Sequence, residues 1–96
     1  MKIVEKNPDG TPVSSVNLGL RKATVTFEAE TQDELRTPEV GHQAIQYAQE
    51  HGLIGAAIRN EGFVYAVAAD GKMADPMAGL PAGGRFRVDI DLGSTL

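Results

Sequence analysis

Cysteine is absent from this 96-residue chain, and tryptophan with it. The first absence removes disulfides, zinc–thiolate sites and a cysteine nucleophile together, and it fits a reducing compartment. Basic runs are missing too. Nine Lys and Arg stand against thirteen Asp and Glu, a formal charge of −4, and they fall as singles or as the close pairs Arg21-Lys22 and Arg85/Arg87. Nucleic-acid binding draws on clustered positive charge to release counterions, so no direct DNA or RNA binding is expected. No stretch approaches the roughly 20 apolar residues that span a bilayer. Met1-Lys2-Ile3-Val4-Glu5 meets charge too early for a signal peptide. These exclusions predict a cytoplasmic protein with no membrane contact.

What is present patterns as one small domain over residues 1–96. A chain of this length buries about two-thirds of its unfolded surface, enough for one core of a sheet and a helix. Ile3-Val4, the turn Asn7-Pro8-Asp9-Gly10 and Thr11-Pro12-Val13 predict an N-terminal hairpin. Pro8 presets φ for the turn, and Pro12, lacking an N–H, belongs on an edge. Ser14 to Gly19 is expected to be a connector, so that 1–19 forms a hairpin-and-connector segment. In Arg21–Thr31, Ala23, Val25, Phe27 and Ala29 alternate with Lys22, Thr24, Thr26, Glu28 and Glu30, the period-two pattern of a half-buried strand. Thr31 and Glu34 have capping-box spacing, and Thr37-Pro38-Glu39 offers a second helix start in which Thr37 caps and Pro38 takes the first helical position. From there Val40, Ala44, Ile45 and Ala48 form an apolar stripe, with Gly52 as terminator.

Leu53–Arg59 and Phe63–Ala69 are predicted as two strands of a hairpin around Asn60-Glu61-Gly62. The second, apolar at every position, is expected to be central. The Pro- and Gly-rich stretch 72–84 is predicted to be a long loop without regular structure. In Arg85–Leu92, Phe86, Val88, Ile90 and Leu92 alternate with Arg85, Arg87, Asp89 and Asp91. The charged side chains predict a solvated ladder on a defended edge strand, followed by a fraying tail at 93–96. The fold class is therefore α+β: a mostly antiparallel four- to five-stranded sheet with one amphipathic helix packed on one face, in the order (ββ)-β-α-β-β-β. The strands flanking the helix are left either antiparallel or parallel by a crossover.

Chemistry is sparse. His42 and His51 lie nine residues apart, on opposite sides of one helix, and meet no metal-ligand spacing. Asp89 and Asp91 share a strand face at roughly 7 Å, but Arg85 and Arg87 share it with them. Gly79-Leu80-Pro81-Ala82-Gly83-Gly84 lacks the Lys-Ser/Thr of a phosphate loop and precedes a strand. Ser14, Ser15 and Ser94 have no base beside them. The chain is accordingly expected to have no catalytic, cofactor or metal site and not to be an enzyme.

Two features point to a protein partner. Met73, Met77 and Leu80 sit on the long loop, where methionines make adaptable contact surfaces; the competing expectation is that they fold back over the sheet and complete the core. Glu28, Glu30, Asp33, Glu34 and Glu39 gather along one strand end and the helix start, an acidic patch suited to a basic surface. The expected function is a non-catalytic binding or regulatory module: a small acidic inhibitor, similar in size and charge alone to immunity and phage anti-defence proteins. Homodimerisation through a sheet edge or the loop is the associated expectation. The alternative is a structural subunit of a larger assembly, such as a phage particle or multi-enzyme complex.

Overall fold

A computed structural model of the chain describes residues 1–75, 77 and 79–95. At Pro76, Ala78 and Leu96 the expectations for the 72–84 loop and the 93–96 tail lie outside the described residues. The strands are β1 (Lys2–Val4), β2 (Ser15–Asn17), β3 (Lys22–Ala29), β4 (Ala56–Glu61), β5 (Tyr65–Val67) and β6 (Arg85–Ser94). Between β3 and β4 come a 3₁₀ turn, Asp33–Arg36, and the helix α1, Pro38–Glu50. The sheet is six-stranded and every pairing in it is antiparallel. The long strands β3 and β6 form its centre, paired from Lys22↔Gly93 to Ala29↔Phe86. Each is flanked by an interrupted row: β1 and β2 along β3, β4 and β5 along β6. Since β3 and β4 both run antiparallel to β6, they run parallel to each other with β6 between them.

The α+β architecture with one helix on one face is as the sequence predicts; the sheet has six strands rather than four to five, and the strands depart from expectation in extent and order. Ser15–Asn17 is a strand rather than a connector. Val16 stands opposite Ala23 and packs against the core, which holds this short segment on the sheet. The predicted hairpin does form, with Gly10 N–H donating to the Asn7 carbonyl at 2.9 Å and Lys6 bridging Pro12. It is an excursion between β1 and β2, and Ser14 closes the gap it leaves. The buried Ser14 hydroxyl donates to the Val4 carbonyl (2.6 Å) and accepts from Thr26 N–H (2.9 Å).

The predicted hairpin around Asn60-Glu61-Gly62 does not form. β4 and β5 are consecutive pieces of one row on β6, with a register shift between Ile58 and Asn60. Gly62 keeps the row attached: its N–H donates to the Asp89 carbonyl at 2.9 Å, and a Cβ at Gly62 would lie 2.9 Å from that same oxygen. The apolar run after Gly62 is thus not a central strand. Only Tyr65–Val67 is strand, Val67 is buried, and Phe63 is 95 % exposed. Outside β5 the chain turns back through Gly71 to an isolated bridge, Val67↔Met73.

The strand expected at a defended edge is instead the centre of the sheet, and it continues through the expected tail as far as Ser94. Three partners, β3, β4 and β5, outweigh the charge on its alternate residues. In α1, Gly52 (φ +98°) follows the helix as predicted. Thr37 does not cap: its hydroxyl donates backwards to the Glu34 carbonyl at 3.4 Å. The helix buries Val40, Gly41, Ala44 and Ala48 against β3, β6 and β4. Together with Val25, Phe27, Val88, Ile90 and Leu92 from the sheet, these residues make the core.

Candidate functional site

Helix α1 does not cover its whole side of the sheet. Beyond its N-terminus two adjoining clefts open along the β4–β5 row, each about 340 Å³, with Val64 lining both. The first lies between the 3₁₀ turn and the row, with Leu35, Val88 and Ile90 at its base and Phe63 and Glu61 at its margin. The second is floored by Ala66 and Phe86 and walled by Met73 and Leu80, with Asp75 on its rim. Together they form a groove where the sheet outruns its helix, mixed in character in the first cleft and mainly apolar in the second.

The predicted partner-binding residues divide around this groove. Met73 and Leu80 meet there, and neither is folded into the core: they are 71 % and 46 % exposed. Met77 is 92 % exposed and does not line the groove. Asp33 and Glu34 are exposed on the 3₁₀ turn whose Leu35 and Arg36 line the first cleft. Glu39 is exposed in the first turn of α1. Glu34 reaches back to the Thr31 hydroxyl (3.0 Å) and N–H (3.2 Å), and these bonds, led by the hydroxyl, hold its carboxyl below the usual range. Glu30 is exposed, 3.7 Å from Arg85.

Glu28 does not belong to the patch. It is 8 % exposed and points to the helix-free face, where Arg87 Nε lies 3.0 Å, Arg85 Nε 3.3 Å and Lys2 Nζ 3.8 Å from its carboxylate oxygens. The strand face expected to be a solvated charge ladder is therefore a packed polar network around Arg87 and Asp89, while Asp91 is exposed and Arg85 partly so. Arg87 is 4 % exposed and also donates to Asn7 Oδ1 at 2.7 Å. Asp89 accepts from the Thr26 hydroxyl (2.6 Å) and the Tyr65 hydroxyl (3.1 Å). Burial, then the Asp89 charge and hydrogen bond, push the Tyr65 phenol up to about 12. Asp91 accepts from the Thr24 hydroxyl at 3.1 Å.

Phe63 and Val64 were not identifiable as site residues, because an unbroken apolar run carries no period that separates exposed from buried positions. The one local signal is Gly62, whose close approach to β6 throws the next residue off the sheet. Neither histidine lines the groove. His51 stacks on Tyr47 with ring centroids 4.0 Å apart and its Nδ1 2.8 Å from the Tyr47 carbonyl oxygen, and His42 is exposed. Among the described residues no group of three or more His, Asp or Glu could hold a metal ion, and no helix is long and apolar enough to cross a membrane. Comparison with protein-family models, curated proteins and solved structures gave no match to this chain.

Proposed function

We propose that this chain is a non-catalytic protein-binding module that acts as a small acidic inhibitor, seating a basic, apolar-centred surface of a larger protein in the groove beside β5. The observation that carries the reading is Phe63, a large aromatic side chain 95 % exposed at the margin of a groove whose adjoining half is mainly apolar. Exposed apolar area gathered in one place and rimmed by polar residues marks interaction surfaces, and aromatic anchors dominate binding energy at such centres. The rim supplies the sign of the partner. Glu61 and Asp75 line the groove, and Asp33, Glu34 and Glu39 stand on the elements beside it, against Arg36 alone among the described cations lining it. Such complementarity sets association rate and specificity.

A second reading, a structural subunit that repeats in an assembly, is favoured by a separate observation. Leu18, Leu20 and Ile54 are exposed where β3 begins and β6 ends, away from the groove. Two distinct apolar surfaces on one chain suit head-to-tail contacts between copies.

Light scattering behind a sizing column separates the two, run on the protein alone and after mixing with lysate of its host. The inhibitor reading expects a monomer that enters a larger, salt-sensitive complex. It also expects Phe63→Ser, or charge reversal at Asp33 and Glu34, to abolish that complex while leaving the fold intact. An oligomer indifferent to lysate and salt, dispersed by Leu20→Ser with Ile54→Ser, would overturn it in favour of the subunit.

A further inference from the structure

The opposite face of the sheet carries a cleft of a different chemistry. It has a volume of about 420 Å³, and Lys2, Lys6, Asn7, Glu28, Arg85 and Arg87 line it. Four cations on the wall of one cleft are unusual for a chain of net charge −4. Three of them, Lys2, Arg85 and Arg87, converge on the single carboxylate of Glu28. Glu5 also lines the cleft, but its carboxylate is engaged elsewhere, accepting from the Tyr47 hydroxyl at 3.1 Å. Tyr47 belongs to α1 and packs against the core on the other side of the sheet. Arg85 also lies 3.7 Å from the exposed Glu30, so the four cations of the cleft still outnumber the two carboxylates, Glu28 and Glu30, that pair with them. Arg87 is fixed from two directions, by Glu28 Oε2 at 3.0 Å and Asn7 Oδ1 at 2.7 Å. Asn7 is itself held in the turn of the N-terminal hairpin. Arg87 fixed in this way holds Glu28, and through it Arg85 and Lys2, in place before an anion docks.

We propose that this cleft binds a small phosphate oxyanion, either free or as the terminal group of a phosphorylated small molecule. Arg85, Lys2 and Lys6 contact its oxygens, and Arg87 and Glu28 position them. Arginine forks match phosphate oxygens bidentately and lysines add point charge, and the volume falls in the range of small-ligand sites. The site is on the face away from the groove, so it stands or falls separately from the protein-binding reading.

The test titrates the intact protein with inorganic pyrophosphate and with adenosine diphosphate, read by calorimetry and by amide chemical shifts. Saturable one-to-one binding is expected, with shifts confined to residues such as Asn7, Val67 and Gly83. Equal affinity for both ligands assigns the free anion, and tighter binding of the nucleotide assigns a carried phosphate. Arg85→Gln, at a partly exposed position that leaves the core untouched, should weaken binding about tenfold. Lys22→Gln, which removes the same charge at the far end of the same face, should leave it unchanged. No saturable binding of either ligand at millimolar concentration overturns the proposal. So does an equal loss in the Arg85 and Lys22 variants, or shifts scattered over the surface.

Discussion

Under α1, the strands β3 and β6 bury Val25, Phe27, Val88, Ile90 and Leu92 in an apolar core. On the other face the same two strands bury Thr26, Glu28 and Arg87, with Asp89 half-buried beside them, through hydrogen bonds and ion pairs. Neighbouring residues on one strand therefore meet opposite environments, and the difference lies in what covers them. An apolar helix surface covers the first face. The second is covered by the N-terminal hairpin, whose Asn7 supplies a polar partner, and no buried side-chain nitrogen or oxygen among the described residues is left without a hydrogen bond. A polar group under cover is tolerated only with a partner, so this face depends on complete pairing where the other depends on volume and fit.

That contrast can be broken in graded steps. The largest loss is expected on the apolar face: Phe27→Ala empties the centre of the core and should cost about 3–5 kcal/mol in chemical denaturation. On the polar face the cost should depend on which partner leaves. Glu28→Gln removes the anion that Lys2, Arg85 and Arg87 share and should cost about 3 kcal/mol, as for other broken buried pairs. Arg87→Met leaves Glu28 its two other cations and should cost roughly half as much. Equal losses in the two variants would show that Arg85 and Lys2 contribute nothing to holding Glu28. Thr26→Val takes one hydrogen bond from Asp89 and leaves it Tyr65, so about 1 kcal/mol is expected in the same assay.

A further effect appears only at high pH. The Tyr65 phenol ionises near 10 in the unfolded chain, whereas in the folded protein it is pushed up to about 12. Across that window the unfolded state binds fewer protons than the folded one. The contribution is therefore complete below pH 10 and is lost as pH rises towards 12. Tyr65→Phe should make the stability profile flatter between those values. Tyr47, raised in the same direction by burial and by Glu5, keeps its own contribution in the variant. An unaltered slope in Tyr65→Phe would show that burial and Asp89 do not hold the phenol above its unfolded value.

The elements whose residues alternate in a clean period were legible: β3, β6 and α1 lie where their patterns place them. Those that failed share a physical cause. Phe63–Ala69 is uniformly apolar, so its pattern does not say whether a partner strand or solvent lies on either side, and Phe63 turned out exposed while Val67 is buried. Ser15–Asn17 is too short and polar to register as a strand; Val16 against the core and the Ser14 hydroxyl, bonded to both Val4 and Thr26, hold it on the sheet. The groove was half legible: loop composition picked out Met73 and Leu80, but its floor of Val64, Ala66 and Phe86 comes from two separate strand regions. The acidic patch was read from spacing along the chain. Spacing placed Glu30, Asp33, Glu34 and Glu39 in solvent, and it could not foresee that Glu28 faces two arginines 57 and 59 residues later.

By itself the sequence determined the α+β class, the helix and its terminator, and which residues of the long strands form the apolar face, because these follow from local periodicity and backbone preference. Only the tertiary structure decided that β6 lies at the centre of the sheet and that β4 and β5 share one row. It also decided that Arg87 of β6 is buried against Glu28 and that the helix stops short of Phe63 and Phe86. Each of these depends on which distant strand lies alongside, and pairing across the sheet is set by the packing of the whole chain.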